Sequence, residues 1–180
     1  DAKKFFGDEP AARTTKTFLL QPGTPNEKLR VNLADKVEED EFAIEAVVKL
    51  DSLYPDASVR TIASRWNNDK AAPGWSLGVT STKSAYKPNN LIVQLNGFDF
   101  QGSPTYEVVA SDIRIPTGKP YYIAVSLDTQ PAPDQKFGGT ITFYARDLSD
   151  PNAEMQTVTV AHQIVGAYPN TVIVVHILMC

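Results

Sequence analysis

Gly118-Lys-Pro-Tyr-Tyr-Ile-Ala-Val-Ser-Leu-Asp128 and Gly139-Thr-Ile-Thr-Phe-Tyr-Ala-Arg-Asp147 are the two stretches that decide the fold. Both are rich in aromatic and β-branched residues, which suit a pleated, half-buried surface. Both are bounded by Gly, Pro or Asp, the residues that punctuate strands. The connection Thr129-Gln-Pro-Ala-Pro-Asp-Gln-Lys-Phe-Gly138 is polar and carries two prolines. The pair therefore reads as a hairpin with a long exposed loop.

The same rhythm runs along the whole chain. Turn signals at Gln21–Pro25, Tyr54–Asp56, Ala72–Gly74, Lys87–Asn90, Gly102–Pro104, Pro116–Gly118 and Ser149–Asn152 separate short hydrophobic runs. That spacing favours a sandwich or barrel over a βαβ protein. Candidate strands are Lys16–Gln21, Leu29–Leu33, Phe42–Leu50, Arg60–Trp66, Trp75–Thr80, Leu91–Asn96, Tyr106–Ala110, Tyr121–Asp128, Thr140–Arg146, Gln156–His162 and Val172–Leu178. The stretch Val37–Leu50 contains helix formers. Its apolar positions Phe42, Ile44, Ala46, Val48 and Leu50 nevertheless alternate, which favours a strand, with Glu38–Glu41 as a polar turn.

At 180 residues the chain is expected to be one domain, residues 1–180, with 1–13 as an N-terminal arm pinned by Phe5 and Phe6. Its length allows a substantial core. The formal net charge is -4 with both signs mixed. No basic cluster appears, so nucleic acid is not an expected partner. The single cysteine, Cys180, excludes an internal disulfide and a Cys-based zinc site. No run reaches the roughly 20 apolar residues of a membrane span. Thr171–Cys180 reads instead as a buried final strand. The chain opens at Asp1 without a secretory n-region and h-region. A removed signal and a segment of a longer protein both fit that opening.

With the strands placed, the chain resembles a laminin-G-like domain of the concanavalin A-like lectin/glucanase superfamily. The opening pair is similar to that family's aromatic-hydrophobic-Ala-hydrophobic run leading to an Asp, followed by a Gly-x-hydrophobic-x-aromatic-Tyr strand. Phe42-Ala-Ile-Glu-Ala-Val-Val-Lys49 stands where the family has an early strand, with Val47 in place of its usual Trp. Arg60-Thr-Ile-Ala-Ser-Arg65 and Gly74-Trp-Ser-Leu-Gly-Val79 follow in the family's order. The likeness covers residues 42 to about 165, and Gly166–Cys180 does not match the family's closing strand. It implies an all-β, two-sheet antiparallel β-sandwich of jelly-roll, concanavalin A-like type. It also implies a recognition module, lectin-like and carbohydrate-binding, in a secreted or cell-surface multidomain protein.

Two other readings stay open. A glycosidase of the same fold needs paired carboxylates. The superfamily's bacterial glucanases carry them as Glu-x-Asp-x-x-Glu on one strand. Glu38 and Asp40 have the first spacing, but Ala43 stands where the second Glu is required. The two histidines, His162 and His176, read as structural, and no Gly-x-Ser-x-Gly elbow supplies a nucleophile. The remaining reading is a structural module whose apolar C-terminal strand packs on a neighbouring domain or protein partner.

For ligands, exposed rings beside amides and carboxylates are the chemistry that holds sugars. A flat apolar ring covers a C–H face while polar neighbours read hydroxyls. Asn96-Gly-Phe-Asp-Phe-Gln-Gly102 is the most suggestive loop, with Phe98, Asp99, Phe100 and Gln101. Its competing reading puts Phe98 and Phe100 at a strand end as core. Trp66, Asn67 and Tyr86 are further candidates, and Trp75 is expected in the core with Leu77 and Val79. Calcium is the expected metal, because it takes several oxygen ligands from loops. Asn68, Asp69 and Asp128 are the candidate donors, with Asn67, Asp99 and Asp134 beside them. Each of these also suits an ordinary turn.

Overall fold

The two deciding stretches do form an antiparallel pair. In a computed structural model of the chain they are β8 (Pro120–Asp128) and β9 (Gly139–Asp147), joined in register from Tyr121 opposite Asp147 to Asp128 opposite Thr140. The structure describes residues 15–20, 37–39, 41–66, 71–131, 134, 136, 138–166, 168–170 and 173–179; for 15–20, 37–39, 169–170 and 173–179 it describes the backbone. The two strands alternate, with Ala124 the one outward position that is also buried. Tyr121, Ile123, Val125 and Leu127 point inward with Ile141, Phe143 and Ala145, while Tyr122, Tyr144 and Arg146 point out. Gly138 and Gly139 close the hairpin because a Cβ on either would overlap a carbonyl, of His162 and Asp128 respectively.

The other strands are β1 (Thr15–Leu20), β2 (Val37–Glu39), β3 (Glu41–Lys49), β4 (Val59–Arg65), β5 (Gly74–Thr80), β6 (Asn90–Phe98), β7 (Pro104–Arg114), β10 (Gln156–His162), β11 (Tyr168–Asn170) and β12 (Ile173–Met179). No helix occurs among the described residues, so none is long and apolar enough to cross a membrane. Two antiparallel four-strand sets, β3-β8-β9-β10 and β4-β5-β6-β7, make the β-sandwich. The first set is extended beyond β3 by β12 and then β1. Both added pairings are parallel, so this sheet is mixed and not wholly antiparallel as expected. Glu38 and Glu39 correct a second expectation. They belong to strand β2 and not to a turn, because β11 supplies an antiparallel partner for Val37–Glu39.

Between the two sets lies one apolar core. Phe42, Ile44, Ala46 and Val48 of β3 face Trp75, Leu77 and Val79 of β5 and Leu91, Val93 and Leu95 of β6. The 2 % exposure of Trp75 makes it core, as its alternation with Leu77 and Val79 implied. Phe42 joins three elements: its ring lies 5.5 Å from that of Trp75 and 6.2 Å, edge-on, from that of Tyr168. Such pairs add about 0.5–1.5 kcal/mol beyond their buried area.

Around Leu91 the β6–β7 ladder is interrupted. Asn90 pairs with Arg114 and Ile92 with Ala110, so Ser111, Asp112 and Ile113 oppose Leu91 alone. Asp112 takes the left-handed conformation there (φ 61°), which a short polar side chain tolerates. Ser111 repairs the ladder. Its hydroxyl donates to Leu91 O at 2.7 Å and accepts from Ile113 N at 3.0 Å. Before the bulge the ladder is unbroken from Pro104 to Ala110, so Tyr106 sits opposite Asn96.

Candidate ligand-binding face

In the four-strand set, the residues alternating with Trp75, Leu77 and Val79 point away from the core. The register sorts them into rows across the sheet. One row holds Ser64, Ser76, Gln94 and Val108. In the next, Gly74 lies opposite Asn96, and Asn96 opposite Tyr106. Trp66, one residue past β4, falls beside Gly74. Successive rows on one face are roughly 6.6–6.8 Å apart and neighbouring strands about 4.8 Å apart.

Gly74 sets the position of the Trp66 ring. A Cβ on Gly74 would lie 2.6 Å from Trp66 Cδ1, 2.7 Å from its Cβ and 2.8 Å from its Cγ. The indole therefore occupies space that any other residue at 74 would fill. Across the sheet it meets Tyr106, with ring centroids 5.7 Å apart and planes 28° from parallel, a stacked arrangement. Tyr106 is 49 % exposed, and its hydroxyl accepts a 2.6 Å hydrogen bond from Gln94 Nε2. Asn96, buried, donates from Nδ2 to Ala72 O at 2.7 Å and ties this row to the segment entering β5. Ser64 donates to Trp75 O at 3.2 Å. Farther along β5, a Cβ on Gly78 would meet Val59 Cγ1, so the start of β4 leans over that end of the face.

The β6–β7 turn sits at the aromatic end. Asp99 is its cap: its Oδ1 accepts from Gln101 N and Ser103 N, both at 2.9 Å, and its own N–H donates to Ser103 O. Phe100 projects at the tip, 49 % exposed, and Gln101 is exposed beside it. Phe98 has the outward parity of Asn96 and is half-buried, while its carbonyl accepts from Val165 N at 2.9 Å. The strand-end core reading therefore fails for Phe100. Trp66, Phe98, Asp99, Phe100 and Gln101 all lie at this end of the sheet. Tyr86 does not. It is exposed in the β5–β6 loop at the other end, where its carbonyl accepts from Asn90 Nδ2.

Of the candidate metal donors, the described ones lie apart. Asn67, Asn68 and Asp69 lie outside the described residues. Asp128 ends β8, in the other sheet, where Oδ1 caps Gln130 N at 2.7 Å. Asp134 is exposed in the β8–β9 loop. No group of three or more His, Cys, Asp or Glu comes together among the described residues. His162, the last residue of β10, is fully buried, and its Nε2 donates to Asp128 O at 3.0 Å. Burial pushes its pKa below the ordinary 6.5, which suits a neutral structural imidazole. His176 lies in β12, where the backbone alone is described, and Cys180 lies outside the described residues.

Tyr106 and Gln94 are the residues that reading the sequence did not single out. Gln94 had a faint signal, as the polar position within Leu91-x-Val93-x-Leu95. Tyr106 had none, because its partner Trp66 is forty residues away and only the pairing of β4 through β7 joins them. No protein-family model, curated protein or solved structure matches this chain. Chemically the face offers two rings, a side-chain amide and hydroxyls. These are groups that can hold a ligand by contact and hydrogen bonding.

Proposed function

We propose that the chain is a non-catalytic recognition module that binds carbohydrate on the outer face of the β4-β5-β6-β7 sheet. The carrying observation is the Trp66–Tyr106 pair laid across Gly74 and Asn96, with the Tyr106 hydroxyl held by Gln94. Aromatic faces cover the C–H faces of sugar rings, and a fixed hydroxyl and amide read their hydroxyl groups. The face is part of a rigid sheet, so little side-chain ordering remains for the ligand to bring about.

The laminin-G-like, concanavalin A-like jelly roll is the sandwich type we favour. Support comes from the four motifs falling in order on β3, β4, β5 and the β8–β9 pair, and from the consecutive order β4-β5-β6-β7 facing β3-β8-β9-β10. With that type goes a place in an exported or cell-surface multidomain protein. Affinity electrophoresis on a polysaccharide panel tests the binding reading. Trp66→Ala and Tyr106→Ala should each weaken retardation at least about tenfold, equivalent to ~1.4 kcal/mol. Retardation unchanged in both variants, with their fold intact, would refute this face as the site.

A further inference from the structure

We infer that the glycan this face takes is a neutral chain, and not a sulfated or uronic-acid polysaccharide. This rests on the carbohydrate-binding reading above and names the ligand class within it. The distribution of charge carries the inference. Among the described residues, the row of Ser64, Ser76, Gln94 and Val108 and the row of Gly74, Asn96 and Tyr106 beside Trp66 hold no formal charge.

Among the described residues, the nearest charges do not offer an anion a partner. Arg65 adjoins Trp66 in sequence but pairs with Trp75, on the core side of the sheet, and its Nη1 is buried. Asp99 stands at the aromatic end as an acidic turn cap. Arg114 is at the opposite end of β7, where it bonds Pro88 O at 2.8 Å and lies 3.4 Å from Asp112. A polyanion laid over Trp66, Tyr106 and Gln94 would shed water from its charges against rings and an amide, gain no cation from the described residues, and meet a protein of net charge -4. A neutral chain meets none of these costs. Gln94 and the Tyr106 hydroxyl supply what its hydroxyl groups need, and the rings supply the apolar contact. The span from Phe98 to Gln94 along β6 is about 13 Å at 3.3 Å per residue, enough for more than one sugar ring.

The experiment sets neutral polysaccharides (β-glucan, xylan, galactomannan) against heparin, polygalacturonate and alginate, in low and high salt, by affinity electrophoresis and calorimetry. Wild type, Trp66→Ala, Tyr106→Ala and Gln94→Ala are compared, with thermal unfolding as the check on folding. The expected result is binding to a neutral chain that changes less than about twofold with salt and drops at least about tenfold in the ring variants. Binding to polyanions that is steeply salt-dependent and still lost in Trp66→Ala would overturn the neutral-chain inference while leaving the carbohydrate reading standing. Binding to none of the panel would overturn the carbohydrate reading and this inference with it. Gln94→Ala separates ring contact from hydrogen bonding, and full retention of affinity in it would refute the role given to the amide.

Discussion

Gly74→Ala tests the geometry of the aromatic face directly. The added methyl would stand 2.6–2.8 Å from Trp66 Cδ1, Cβ and Cγ, where carbon atoms prefer about 3.5–4.0 Å. The indole must therefore lift by roughly 1 Å, or the strands must part by that amount. Overpacking of this kind costs ~1–3 kcal/mol. The intrinsic gain of replacing a strand Gly by Ala is about 0.5–1 kcal/mol, so a net loss of up to about 2.5 kcal/mol remains, centred near ~1 kcal/mol. For a chain of 180 residues each kcal/mol moves Tm by about 2–4 °C. Two tryptophans make the readout simple. Trp75 is 2 % exposed and shielded, so acrylamide quenching reports Trp66. The variant should show a lower Tm and stronger quenching. In a Trp66→Ala background, which removes the ring atoms, the penalty should shrink. Equal penalties in both backgrounds, or unchanged quenching, would refute the placement of the ring over Gly74.

Four further outcomes follow from the packing and the buried polar groups. Phe143, fully buried between the sheets, should lose about 3–5 kcal/mol on truncation to Ala, read by urea unfolding; a loss under 1 kcal/mol would place it outside the core. Tyr168 has a buried hydroxyl with no hydrogen-bond partner among the described residues, and burial raises its pKa. Tyr168→Phe should therefore be neutral or stabilising by up to about 1 kcal/mol, and a clear loss of stability would reveal a missed partner. The pKa of His162 is lowered by burial, so the unfolded chain binds more protons than the native one as pH falls through the ordinary 6.5. Stability should thus decline as pH drops below that value, and His162→Gln should flatten this part of the pH profile; an unaltered slope would count against it. Asp147 acts in a lower window. The Ser149 hydroxyl first, then Lys119, hold its carboxyl down to about 2, so its contribution is complete above the ordinary 3.8 and fades toward 2. Ser149→Ala should raise that pKa in an NMR titration, and no change would dismiss the serine as the main cause.

The strands were legible because their signal is local. Phe42 to Leu50 alternates in a way that a helix cannot use, and the structure has β3 over Glu41–Lys49. Gln156–His162 was delimited to the residue by its flanking turns. Glu38–Glu39 was misread because nothing near it announces a strand, and only Tyr168–Asn170, far along the chain, pairs with it. The parallel direction of β12 beside β3 was equally hidden, since alternation is the same whichever way a strand runs. Trp66, Phe98 and Phe100 could be picked from residue type alone, but the sequence also offered Tyr86, which the fold puts at the far end of the sheet.

What the sequence by itself determined is the set of strands, the face of each that is apolar, and hence a sandwich with one core. Those depend on a period of two residues and on turn chemistry, both contained within a few positions. Only the tertiary structure decided which outward residues meet. Trp66 and Tyr106 become neighbours because β4, β5, β6 and β7 pair in one register, with no side chain at Gly74 to hold the indole away. A one-residue slip in that register would send the opposite residues outward. The candidate site is thus a property of the pairing, and the pairing is fixed by the core on the other side of the sheet.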